Sequence, residues 1–143
     1  MTTATEITLA PSAKGWNIGL WTAQIALAAL YAMAVYMHVL MSPVELAGMG
    51  AVWAETAPIW LIRFIGFAEL AGVIGLIVPA ATRIKPELTV YAAMGLLAIQ
   101  ALAVPFHVIR GEMSVLPFNL IYVALAMLII WGRTRKSPIA AKV

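Results

Sequence analysis

Arg63-Phe64-Ile65-Gly66-Phe67-Ala68-Glu69-Leu70-Ala71-Gly72-Val73-Ile74-Gly75-Leu76-Ile77-Val78-Pro79 is an apolar run with a carboxylate in its middle. A charge at the centre of an apolar helix costs at least about 2.5–3.5 kcal/mol on insertion scales. Such a residue persists only where something compensates it, so Glu69 points to partners on other helices. Gly66 and Gly72 stand three residues to either side of Glu69, on its own side of a helix. They let another helix come close to the carboxylate. The rest of the chain reads as three more apolar helices packed around this one.

Composition supports that reading. The chain has 143 residues, of which 64% are hydrophobic and 10% charged. Soluble domains are about 45–50% apolar and about 25% charged. There is no cysteine, which excludes disulfides, thiolate metal sites, iron–sulfur clusters and dithiol relays. The net charge of +3 does not indicate a nucleic-acid partner, because the basic residues lie beside apolar spans, where membrane topology accounts for them.

Working outward, residues 1–15 are small and polar and predict a flexible tail. The first span covers 16–40, long enough to cross a core of about 30 Å with some tilt. A signal peptide competes here, since Ala32-Met33-Ala34 follows an apolar run after Lys14. Hydrophobicity continues past that point, however, and signal cores run only about 7–15 residues. Met41 to Ala57 reads as a loop with a short amphipathic helix around Val44–Trp53. The second span, 59–78, starts after Pro58 and is predicted to close at Pro79. Arg83-Ile84-Lys85 is a basic turn. The third span, 87–108, carries a kink-forming Pro105. Arg110-Gly111-Glu112 is a tight polar turn, the fourth span covers 114–131, and 133–143 is a basic tail. The membrane domain is thus 16–132, an all-α bundle of four transmembrane helices. Strands are excluded, because an open sheet edge is unsatisfied in lipid.

Four spans put both termini on one side. That side holds Lys14, Arg83, Lys85, Arg133, Arg135, Lys136 and Lys142; the other holds Arg63 and Arg110. The asymmetry predicts cytoplasmic termini in a multi-pass protein of the inner (plasma) membrane. Trp16, Trp131 and Trp60 are the interfacial anchors.

The polar residues follow a pattern. Asn17, Gln24, Tyr31 and His38 recur every seven residues, drifting only about 20° per step, so they share one face of the first helix. Such a face serves as polar glue between helices. Glu69 lies about 9 Å deeper than Arg63 and about 120° around the helix, which argues against an ion pair within the helix; Arg63 is expected to snorkel to the outer interface. Gln100 and His107 share a face of the third helix, and Asn119 and Tyr122 one of the fourth. A candidate polar pocket in the outer half therefore comprises Glu69, His38, His107, Gln100, Asn119 and Arg63. Gly66, Gly72, Gly75 and Gly95 are the candidate packing positions.

Phe64 to Pro79, with Gly66, Glu69, Gly72 and the terminal proline before a basic turn, resembles the second helix of the DoxX-like membrane proteins. Tyr91-Ala92-Ala93-Met94-Gly95-Leu96 through His107, the Arg110-Gly111-Glu112 turn and Gly132-Arg133 extend the resemblance over residues 15–133. It implies a four-helix inner-membrane protein and carries over Gly66, Glu69, Gly72 and His107. The family takes its name from a subunit of a thiosulfate:quinone oxidoreductase, while other members resemble assembly or chaperone-like proteins, so the name does not transfer the chemistry.

Two functions stand. One is an accessory or scaffold subunit that supports a membrane or redox complex, with small-residue faces for packing within the chain, against a partner or in a homo-oligomer. The alternative is a quinone- or lipid-binding redox subunit, in which Glu69 with His38 or His107 serves the headgroup. Haem ligation by His38 and His107 rests on two histidines alone, and no resident metal is expected. Four helices leave little room for alternating access. A zinc hydrolase is excluded by the lack of HExxH, and a serine triad by the lack of Gly-x-Ser-x-Gly and of any aspartate.

Overall fold

The computed structural model describes residues 11–142. Five α-helices run α1 Pro11–Leu40, α2 Pro43–Gly48, α3 Ile59–Thr82, α4 Leu88–Ile109 and α5 Leu116–Trp131, and there is no strand among the described residues. α1, α3, α4 and α5 are long and apolar enough to cross a membrane. Consecutive spans pack side by side, and α5 closes back on α1.

The tail expected to be flexible covers residues 1–15. Residues 1–10 lie outside the described residues, but 11–15 are already helical, with Pro11 at the first position, where its missing N–H costs nothing. A second correction concerns Pro79, which does not end its helix: α3 continues to Thr82. The proline removes a single bond, to the carbonyl of Gly75, close enough to the helix end to be tolerated. The helix stops instead at Arg83, whose φ of 59° is left-handed; Lys85, at 47°, is too. Left-handed non-glycine residues cost about 1–3 kcal/mol each. The C-terminal segment holds this turn from below: the Lys142 N–H donates to the Arg83 carbonyl at 2.9 Å.

The surface is apolar where the spans lie, and only 17–33% of the most hydrophobic window of each span is buried. Ile25, Met33, Phe64, Phe67, Leu102 and Phe118 point outward. In water such a surface would aggregate; in a bilayer it meets its own kind. The interior is built from Ala23, Leu27, Ala28, Leu76, Ala93, Leu96, Ala126 and Ile129 around Tyr31. Four of these nine are alanines, which let backbones approach where packing and hydrogen bonds, rather than water exclusion, join helices in lipid.

The loop between α1 and α3 folds into a cap. Ser42 and Glu45 form a reciprocal capping box that starts α2: the Ser42 N–H donates to Glu45 Oε2 at 2.7 Å, and the Glu45 N–H donates to Ser42 Oγ at 3.3 Å. A turn of 3₁₀ helix, Val52–Glu55, follows. Leu46, Ala54 and Ile62 are buried together beneath this cap, with Met37, Met41 and Trp53 around them. Beyond α5, Gly132–Lys136 continues as a π-helical turn.

Candidate functional site

Glu69 is buried, 3% exposed, in the middle of α3. Its Oε2 lies 2.8 Å from Nδ1 of His38, near the end of α1. The two helices come close there because Gly66 carries no side chain. A Cβ on Gly66 would stand 2.7 Å from Val39 Cγ2 and 3.0 Å from His38 Cβ. A hydrogen bond of this length holds one proton between imidazole and carboxyl, and Nε2 remains for a second partner. Trp53 of the cap lies over the histidine, with ring centroids 5.9 Å apart.

Arg63, expected to snorkel outward, engages the end of α1. Its Nη1 donates to the carbonyls of His38 and Met41, the latter at 2.9 Å. A guanidinium at the end of α1 satisfies carbonyls that have no helical partner and opposes the negative end of the helix dipole. It also fixes the backbone that carries His38.

Deeper in the bundle is a second cluster. Tyr31 donates to the Leu96 carbonyl at 3.0 Å; Gln100 Nε2 donates to the Tyr31 hydroxyl at 3.0 Å, and Asn119 Nδ2 to Gln100 Oε1 at 2.8 Å. One network thus joins α1, α4 and α5. The Tyr122 hydroxyl donates to the Leu30 carbonyl, and the Tyr31 and Tyr122 rings meet edge to face at 4.7 Å.

His107 stands apart from both. Its Nδ1 lies 2.7 Å from Glu112 Oε2, and Arg110 Nε donates to Glu112 Oε1 at 2.8 Å. Partial burial works against the Glu112 charge, yet the hydrogen bonds from Arg110 and His107 outweigh it and hold the carboxyl below its usual range. The six candidate pocket residues therefore fall into three groups rather than one. His38 pairs with Glu69 while Arg63 braces the backbone; Gln100 and Asn119 join Tyr31; His107 belongs to the turn after α4. Trp53 and Phe106, with ring centroids 6.1 Å apart, lie between the two histidines.

The four candidate packing glycines also divide. Gly66 admits α1, Gly72 meets Leu96, and a Cβ on Gly75 would stand 2.7 Å from Ala92 Cβ, both contacts on α4. Gly95 meets nothing within 4 Å and faces outward.

Arg133 is the residue that sequence reasoning placed wrongly, among tail cations. It is only 4% exposed. Its Nε donates to Gln24 Oε1 at 2.7 Å and its Nη1 to Asn17 Oδ1 at 2.8 Å, while Gln24 Nε2 donates to the Leu76 carbonyl. Gly132 makes room, since a Cβ there would run into Leu20 of α1. The signal was present: Asn17 and Gln24 needed a donor at their end of the bundle, and a glycine before an arginine at the close of a span could supply one. All four members of the seven-residue column of α1 thus engage another helix or the turn beyond α5.

Among the described residues no three His, Asp or Glu side chains group closely enough to hold a metal ion. The model of the DoxX-like family matches residues 22–129. The chain belongs to the DoxX-like family. As a DoxX-like protein with four apolar helices it is a multi-pass membrane protein. No curated protein and no solved structure matches it. The matched region of this DoxX-like chain contains the Glu69–His38 pair, the Tyr31–Gln100–Asn119 network and the His107–Glu112 turn, and it stops just before Gly132 and Arg133.

Proposed function

We propose that this DoxX-like protein is an accessory subunit of the inner membrane, a rigid bundle that supports a membrane or redox complex, with both termini in the cytoplasm. One observation carries the reading. The interior polar groups close on one another, His38 on Glu69, Asn119 on Gln100 on Tyr31, and Asn17 and Gln24 on Arg133. Each tie joins two or more helices, as a scaffold requires. Seven cations on the side that holds the termini against two on the other support the orientation. A phosphatase reporter at the C-terminus that is active outside the cytoplasm overturns it.

The role itself is tested by crosslinking in intact membranes from Val44 and Met49, which are exposed on the cap. One defined protein partner is expected; labelling of lipid alone refutes the reading.

A second reading, a quinone-binding redox subunit, rests on the His38–Glu69 pair, in which the histidine side chain keeps 17% of its surface. A quinone headgroup needs a hydrogen-bonding, proton-exchanging pair of this kind. Mass spectrometry on an organic extract of the gently purified protein decides it. A stoichiometric quinone moves the redox reading ahead; bulk lipid alone removes it.

A further inference from the structure

At the end of the bundle that carries the termini, a pocket of about 480 Å³ opens between the start of α4 and the chain beyond α5. Its wall is apolar over Val90, Tyr91 and Ile139 and carries two charged residues, Arg133 and Glu87. Arg133 is bonded through Nε and Nη1, and its Nη2 is buried with no hydrogen-bond partner. An unpaired buried donor costs about 1–3 kcal/mol, more for a charged group. Glu87 is exposed at the N-terminus of α4.

The level of this pocket in the membrane is marked. Arg133 follows Trp131 by two residues, Trp131 and Trp16 pack edge to face at 5.2 Å, and Lys136 Nζ lies over both rings. Tryptophan pairs with a lysine at their edge belong to the headgroup layer. Tyr91 is 63% exposed on the outer side of α4, so the pocket is open where lipid lies.

The geometry points to a binding site for one phospholipid with an amine headgroup. Its phosphate accepts from the Arg133 guanidinium, its ammonium donates to Glu87, and its glycerol neck lies on Val90 and Ile139. One cation and one anion in one pocket match a zwitterion that can donate hydrogen bonds. A free phosphate makes no use of the apolar wall, and a trimethylated amine cannot donate to Glu87.

The test is native mass spectrometry of the full chain in mild detergent, with phosphatidylethanolamine, phosphatidylcholine or inorganic phosphate added. The wild-type protein is expected to retain one phosphatidylethanolamine, with about tenfold preference over phosphatidylcholine, the scale of one charged hydrogen bond. Val90→Trp fills the pocket without touching the bonds of Arg133 and should lose the bound lipid at an unchanged melting temperature. Glu87→Gln, at an exposed position, should bind both lipids alike and covers the case in which Val90→Trp does not fold. Equal retention of the two lipids by wild type, or an unchanged preference in Glu87→Gln, overturns the proposal. So does protection by inorganic phosphate equal to that by phosphatidylethanolamine, which would make the site one for free phosphate.

Discussion

Replacing Glu69 and His38 singly and together measures what the central pair contributes. Glu69→Leu leaves the His38 Nδ1 without its partner at 2.8 Å. The side chains are 5% and 17% exposed, so little water can substitute. An orphaned buried polar group costs about 1–3 kcal/mol, and the histidine, at the less buried end, belongs near 2. His38→Leu strands a carboxylate instead, for which about 3–5 kcal/mol is usual. The double variant leaves two apolar residues among apolar neighbours and should cost less than His38→Leu alone. The two substitutions are therefore non-additive by about 2 kcal/mol or more, well above the roughly 0.3–0.5 kcal/mol scatter for independent sites. Glu69→Gln keeps a hydrogen bond to Nδ1 and should lose about 1 kcal/mol. Thermal and SDS-induced unfolding of the four variants in mixed micelles gives all the quantities. If the single effects simply add, the pair does not hold α1 to α3, and the accessory reading loses its central tie. If the double variant is stable yet fails to complement a deletion, the carboxyl or the imidazole acts in chemistry.

Three further outcomes are expected. Gly75→Ala should destabilise the bundle by about 1–3 kcal/mol, because the new methyl would stand 2.7 Å from Ala92 Cβ, an atom fixed to its backbone. Gly95→Ala, with nothing within 4 Å, should gain about 0.5–1 kcal/mol from helix propensity; equal melting temperatures for the two would refute this account of α3–α4 packing. The Arg110–Glu112 turn should loosen in acid. Glu112 has a folded-state pKa below its unfolded value, so its contribution is present above the ordinary carboxylate pKa near 4.5 and is lost as pH falls through the lower folded value. Hydrogen exchange at Gly111 and Glu112 across that range reads it, and Glu112→Gln should abolish the pH dependence.

Much of the architecture was legible in the sequence because lipid imposes it: long apolar runs, polar turns and a charge at membrane depth admit few other folds. Glu69 announced a partner, and the seven-residue column of α1 announced a polar face. Which residues meet depends on the rotation of each helix about its axis. That is why Gly95 faces outward while Gly72 and Gly75 face in; His107 and Gln100, on one face of α4, serve different clusters because they lie about 10 Å apart along the axis. Pro79 misled because a proline three residues before a helix end removes only one helical bond, and the last turn forms around it. Arg133 misled because basic residues after a span are usually solvated.

The tie between Arg133 and the first helix has a consequence for how the protein is made. α1 leaves the ribosome first and enters the bilayer with Asn17, Gln24, Tyr31 and His38 along one side. His38 gains Glu69 once α3 follows, and Tyr31 waits for α4. Gln24 gains the Leu76 carbonyl with α3, but its Oε1 and Asn17 wait for Arg133, which follows α5. Until α5 has been made, the nascent protein therefore exposes an unfinished polar seam, and a chain truncated at Trp131 would keep the Asn17 and Gln24 amide oxygens without their donor.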